Sequence, residues 1–250
     1  MLEGMTAAAP MRPALRHDTD PRTPKRLRLV LGTMVIALAW VAVAANRPWS
    51  DGRTAAALAL AQNALFLAYI MRHRDWQFAR LFYGFGLTLG VTELIADGLC
   101  VHFTQTLDYA PAQSTMLGLS PWWMPLAWMI VTTQIGFVGT RLMARVGTAR
   151  GVVLCAVLGA VNIPFYEEMA WHAHWWRYAH CRMAALPHQS LSHTPLYIII
   201  AELVIGAALG PLARMALGAK SWGAAIVAGL LGGLATIAGG LVGYGLVERL

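Results

Sequence analysis

Five carboxylates stand in stretches where a charge is expensive. Glu93 and Asp97 are four apart in LGVTELIADGLC, Glu167 and Glu168 are adjacent in VNIPFYEEMAWHAHWWRY, and Glu202 interrupts LYIIIAELVIGAALG. Each would cost about 2.5–3.5 kcal/mol at a lipid-facing position in mid-membrane, so five together imply a shared polar interior rather than scattered structural use. Carboxyl groups crowded in a low dielectric cannot all ionise, and at least one should stay protonated near neutral pH. Such an acid can protonate an apolar substrate, and a neighbouring carboxylate can take a proton back.

The elements that must position these groups follow from composition. The chain of 250 residues is 58% hydrophobic and 12% charged, with a mean hydropathy of +0.54, which is the balance of a membrane protein. A net charge of +7 raises the question of nucleic acid, but the basic residues lie between apolar runs and form no patch with interleaved aromatics. No nucleic-acid partner is expected.

Apolar segments near 27–45, 54–70, 81–101, 122–142, 151–171, 195–213 and 222–247 are each long enough to cross a hydrocarbon core of about 30 Å. The fold class is therefore all-α, a polytopic membrane bundle of seven transmembrane helices. Most Lys and Arg fall in the amino-terminal tail and in alternate connections (Arg72, Arg74, Arg80; Arg141, Arg145, Arg150; Arg214, Lys220), which predicts a cytoplasmic amino terminus and an outer carboxyl terminus. The location expected is the cell's inner (plasma) membrane. Residues 1–26 are polar and proline-rich and read as a disordered cytoplasmic tail before a transmembrane domain at 27–250. Ala42-Val-Ala44 resembles a signal-cleavage site, but the long region before the apolar run favours a retained helix.

The two long connections, 102–121 and 172–194, fall on the outer side, where long loops most often carry function. The third span runs outward through Gly86, Gly90, Glu93 and Asp97, all on one helical face. At about 1.5 Å per residue, Glu93 lies about 12 Å and Asp97 about 6 Å below an end near Val101. Glu167 and Glu168 fall within a turn of the outer end of the fifth span, past Asn162 and a kink expected at Pro164, and Glu202 is about two turns deep in the sixth. The five candidate catalytic groups thus share the outer half. Glu167 and Glu168 are about 100° apart around their helix, so one of the two points squarely inward, and Glu168 is the expectation. Asn162, Tyr166, Trp128, Trp171 and Trp175 are the candidate substrate-binding residues. The tryptophans read first as an interfacial membrane belt, where amphipathic rings settle.

Other chemistries fit less well. Neither Lys25 nor Lys220 is placed for a retinal Schiff base, and there is no His-Glu-x-x-His motif or glycine-rich phosphate loop. His102, His172, His174, His180, His188 and His193 lie in or near the outer loops, without the paired spacing of a di-iron oxidase. No metal and no cofactor are expected, and a zinc or iron site from Glu168, His172 and His193 is the weaker reading. Glu202 or Asp97 could pair with Arg177 or Arg182, and an oxidising outer compartment would allow a Cys100–Cys181 disulfide. In the last span, Ala225, Gly229 and Gly233 are four apart, as are Gly239 and Gly243, a spacing that serves close packing within the bundle or a homo-oligomer.

Pro164-Phe-Tyr-Glu167-Glu168 resembles the Pro-x-Glu-Glu element of the small membrane-embedded carotenoid cyclases, with one extra residue between proline and glutamates. Seven spans with acidic residues near one face also resemble the integral-membrane terpenoid cyclases. The resemblance implies metal-independent, acid-triggered cyclisation or isomerisation of a polyene. The expectation is a membrane enzyme acting on an isoprenoid or related lipid, with membrane lipids and a lipid-soluble substrate as partners. A proton-coupled transporter and a non-catalytic assembly protein are the alternatives.

Overall fold

The structure, a computed structural model, describes residues 20–184 and 192–249. Most of the expected tail and His188 lie outside the described residues. Seven helices are long and apolar enough to cross a membrane: α1 (Thr23–Ala45), α2 (Gly52–His73), α3 (Trp76–Phe103), α4 (Met124–Val146), α5 (Thr148–His172), α6 (Leu196–Gly218) and α7 (Trp222–Glu248). Large apolar side chains such as Val35, Leu65, Val91 and Leu234 are exposed around the bundle, as expected where lipid rather than water is the solvent.

Helix α1 begins within the stretch expected to be tail. Pro24 occupies the first turn, where its missing N–H has no partner to lose, and Arg26 is buried rather than solvated. The Arg26 guanidinium donates to both Asp75 oxygens, at 2.8 and 2.7 Å, and to Asp20 at 2.9 Å. Asp75 also caps α3 by accepting from the Phe78 backbone N–H at 3.1 Å. Burial would raise the Asp75 carboxyl, but the Arg26 hydrogen bonds and charge prevail and hold it below the usual range. This ion pair pins α1 to the start of α3 at the end opposite the long loops.

Helix α3 is the central element, and it is not uniform. Residues Arg80–Leu87 and Leu99–Phe103 are π-helical, and the regular α-helical segment Thr88–Gly98 between them carries Glu93 and Asp97. Gly90 sits so close to α4 that a Cβ there would run into the Pro125 carbonyl oxygen. On the other side, a Cβ at Gly229 of α7 would stand 2.6 Å from the Phe85 carbonyl oxygen. The glycine face of α3 therefore faces a close-packed seam, as its spacing predicts. The small residues of α7 are likewise used inside the bundle, Gly229 and Gly233 against α3 and Gly239 and Gly243 against α6.

The core divides by depth. Phe66, Phe78, Phe82, Phe85 and Phe137 fill the middle and the end opposite the loops, with Phe66 stacked on Phe82 at 5.0 Å. Tyr109, Trp123, Trp175 and Trp176 fill the loop end. There the two long connections are tied together by a short antiparallel pair, β1 (Leu107–Asp108) with β4 (Arg177–Tyr178). A second pair, β2 (Met116–Leu117) with β3 (Ser120–Pro121), folds the first connection on itself.

Candidate functional site

Four of the five carboxylates lie toward this end of the bundle, three of them buried and Glu202 partly exposed. Glu93 and Asp97 come from α3, Glu167 from α5 and Glu202 from α6. Glu93, Asp97 and Glu167 are buried at 2%, 6% and 5% exposure. The Glu93 and Asp97 carboxyl groups, one helical turn apart, face each other at hydrogen-bonding range. Glu202 lies close enough to interact with both Glu93 and Glu167. Its Oε2 lies over Gly159 of α5, where a Cβ would come within 3.5 Å. Three helices thus bring to one depth groups separated by more than a hundred residues in sequence.

Hydrogen bonding separates their roles. Asp97 Oδ2 accepts from the Tyr109 hydroxyl and from the Ser120 hydroxyl, each at 2.7 Å, which suits an anion. Glu167 Oε2 accepts from the Trp176 indole N–H at 2.6 Å. Glu93 Oε2 is buried without any partner. Two carboxyl groups facing each other in a water-poor interior share a proton. Because Asp97 already receives two O–H donors, negative charge is better accommodated there than on Glu93.

Aromatic rings close the site from above. Trp123 and Trp176 stand 6.4 Å apart, Trp176 lies 6.0 Å from Tyr166, and Tyr109 meets Trp176 edge-on at 6.4 Å. Tyr109 also lines a loop-side cavity of about 390 Å³ with Asp108, Gln113 and Ser114, while its hydroxyl reaches Asp97. Burial, reinforced by the nearby Asp97, raises the Tyr109 hydroxyl well above its ordinary value, so it acts there as a donor.

Several expectations need correction. It is Glu167 that points inward, whereas Glu168 lies on the neighbouring face and pairs with His193 and His172. The 100° between successive side chains allowed either outcome, and Trp176 decided it by placing its N–H on Glu167. Among the candidate binding residues, Tyr166 packs in the roof and Trp128 is half-buried against both core clusters. Trp175 is buried, but its N–H donates to Thr54 Oγ1 at 2.8 Å, which ties it to α2. Asn162 is exposed on the outer side of α5, and Trp171 stacks on His193 away from the carboxyl pair. Neither is placed to touch a molecule held at Glu93.

Nor do the loop arginines pair with the buried acids. Arg177 binds Asp108 at 2.7 Å, and the Arg182 backbone N–H donates to Glu248 at 2.8 Å. Cys100 and Cys181 are free thiols. The β1–β4 pair and the 2.8 Å contact between the Thr106 and Tyr197 hydroxyls hold the loops instead. Ser120, Thr106 and Tyr197 carried no sequence signal, since each is an ordinary residue until the fold sets it beside its partner.

Among the described residues, the mid-depth amides close on the backbone or on a hydroxyl, whereas Thr133 Oγ1 is buried without a partner. Gln62 Nε2 donates to the Thr33 carbonyl at 2.7 Å, Gln134 Nε2 to Thr33 Oγ1 at 3.0 Å, and Asn63 to the Ala59 and Leu126 carbonyls. They cross-link α1, α2 and α4.

Fold and site together define a polytopic α-helical membrane protein with a buried carboxyl cluster near one end. The chain belongs to the family described as Domain of unknown function (DUF6989), which matches residues 94–247. That stretch contains Asp97, Glu167, Glu168 and Glu202 and begins one residue after Glu93. No curated protein and no solved structure matches the chain.

Proposed function

We propose that this protein is an integral-membrane enzyme acting on an isoprenoid or related lipid by carboxylate acid/base chemistry of the cyclase, isomerase or hydratase type. The observation that carries the reading is the buried, partnerless Glu93 Oε2 beside an Asp97 carboxylate already held by two hydroxyls. An acid so placed gives its proton to an alkene or epoxide brought against it. The proton moves from Glu93 to an alkene carbon, with the π bond supplying the electron pair, or to an epoxide oxygen, whose lone pair takes it before the C–O bond breaks to leave a hydroxyl and a carbocation. The resulting cation lies beneath Tyr166, Trp123 and Trp176, whose ring faces stabilise positive charge. Loss of a neighbouring proton to Glu202 or Asp97, or attack by water, completes the reaction and leaves Glu93 to be reprotonated.

Closure of the Gln62 and Asn63 amides on backbone carbonyls favours a one-sided pocket over a proton path through the membrane. The bundle sits in the plasma membrane with the carboxyl cluster in its outer half, and the lipid enters sideways between helices. Single replacements of Glu93, Asp97, Glu167 and Glu202 by their amides, expressed in a deletion strain, test the reading by mass spectrometry of lipid extracts. Loss of a lipid product and accumulation of its linear precursor are expected for Glu93→Gln and Asp97→Asn. Unchanged lipid profiles in the deletion strain and in all four variants would refute enzymatic action on a lipid.

A further inference from the structure

We propose that Glu168, His172 and His193 form a binding site for a zinc-type divalent cation at the loop end of α5, separate from the buried carboxyl groups. Glu168 and His172 are one turn apart on α5 and share a face, and His193 arrives from the segment leading into α6. Glu168 Oε1 stands 2.9 Å from His193 Nδ1 and 3.4 Å from His172 Nε2. The three ligand atoms all lie within 4.8 Å of one another. Ligands held 2.0–2.1 Å from a tetrahedral ion stand about 3.3 Å apart, so the oxygen–nitrogen spacings bracket that value, and the imidazoles need approach by at most about 1.5 Å. His172, whose side chain is half-exposed, has the freedom to make that adjustment.

Two further contacts hold the other ligands in place. The His193 backbone N–H donates to Glu168 Oε2 at 2.9 Å, which fixes the carboxylate with Oε1 directed at both imidazoles. Trp171 stacks on the His193 ring at 3.6 Å and an interplanar angle of 12°, fixing its rotation. Such outer contacts orient ligands at metal centres. An ion pair would engage one imidazole, whereas here a single oxygen faces two nitrogens from two parts of the chain. Two imidazoles and one carboxylate suit zinc and its first-row neighbours rather than magnesium or calcium, which take oxygen ligands almost throughout. Three protein ligands leave a fourth position toward solvent, where His172 is exposed, for water or an outside donor. Bound metal would join the end of α5 to the start of α6 and so brace the roof above Glu167.

The test is zinc binding by the full-length chain in detergent. The protein is stripped with chelator and titrated calorimetrically with zinc alone, and metal content is measured after gel filtration. About one ion per chain should be retained. His172→Ala, His193→Ala and Glu168→Gln should each weaken binding by at least about 100-fold, and Trp171→Leu by about 10-fold. His102→Ala, which removes an exposed histidine outside the cluster, should leave affinity unchanged. Because His172 is half-exposed, its removal costs little packing, and an unchanged elution volume separates a folded variant that has lost the metal from a misfolded one. Failure of the wild-type chain to retain zinc, or equal affinity in folded His172→Ala and Glu168→Gln variants, would overturn the proposal.

Discussion

Replacing Asp97 by alanine removes the one acceptor shared by two buried hydroxyls, and its cost follows from the structure. Tyr109 and Ser120 both donate to Asp97 Oδ2 at 2.7 Å, and all three residues are buried. A buried donor left without an acceptor costs about 1–3 kcal/mol, so Asp97→Ala should lose about 2–6 kcal/mol. Asparagine behaves differently. Its amide oxygen can occupy the Oδ2 position and keep both hydroxyl bonds, with its NH2 turned to Glu93, so Asp97→Asn should stay within about 1 kcal/mol of wild type while the shared proton is lost. Adding Tyr109→Phe to Asp97→Ala should recover part of the loss by removing one orphaned donor. Thermal unfolding in detergent, followed by tryptophan fluorescence, reads these differences because Trp123 and Trp176 stand in the same roof. At about 2–4 °C per kcal/mol for a chain of this size, the lower bound for Asp97→Ala is a fall of about 4 °C. Unfolding of Asp97→Ala at the wild-type temperature, or equal losses in the alanine and asparagine variants, would refute the assignment of Asp97 as the hydrogen-bonded member of the pair.

Other outcomes follow from the same structure. Arg26→Leu should cost about 3–5 kcal/mol by leaving Asp75 buried and unpaired, and the double variant Arg26→Leu with Asp75→Asn should regain most of it in chemical unfolding. The Asp75 carboxyl is held below its usual range, so its contribution is fully present above the unfolded value of about 3.9 and lost as pH falls through the folded value. Acid titration of stability below about pH 4 should therefore be flatter in Asp75→Asn. Gly90→Val should destabilise by about 1–3 kcal/mol or more through collision with Pro125, whereas Gly240→Val, with open space around it, should be tolerated in the same thermal assay. Burial pushes the Cys181 thiol up to about 12, so it should resist alkylation near pH 8 in the folded protein and react once denatured, with mass spectrometry as the readout.

Much of the architecture was legible because the bilayer imposes a one-dimensional constraint. A segment that crosses it must be long, apolar and helical, so seven runs became seven helices with ends shifted by a few residues. The face carrying Gly86, Gly90, Glu93 and Asp97 was equally legible, since 3.6 residues per turn fixes which side chains align. The depth of Glu167 and Glu202 followed from helical rise. The tail boundary was misread because charge in the first turn of α1 looks like solvated sequence, and a buried partner at Asp75 cannot be seen from position 26.

Sequence alone determined the class of fold, the placing of the carboxyl groups toward one end, and the shared helical face of Glu93 and Asp97. Only the tertiary structure decided between Glu167 and Glu168, because two neighbours on a helix differ by an angle, and the angle has meaning only once Trp176 stands against one and His193 against the other. It likewise turned Asn162 and Trp171 away from the site and gave Asp97 its two hydroxyl partners. It also placed His193 beside Glu168 and His172. Spacing along one helix is a local property, whereas the meeting of α5 with the segment entering α6 depends on how the whole bundle packs.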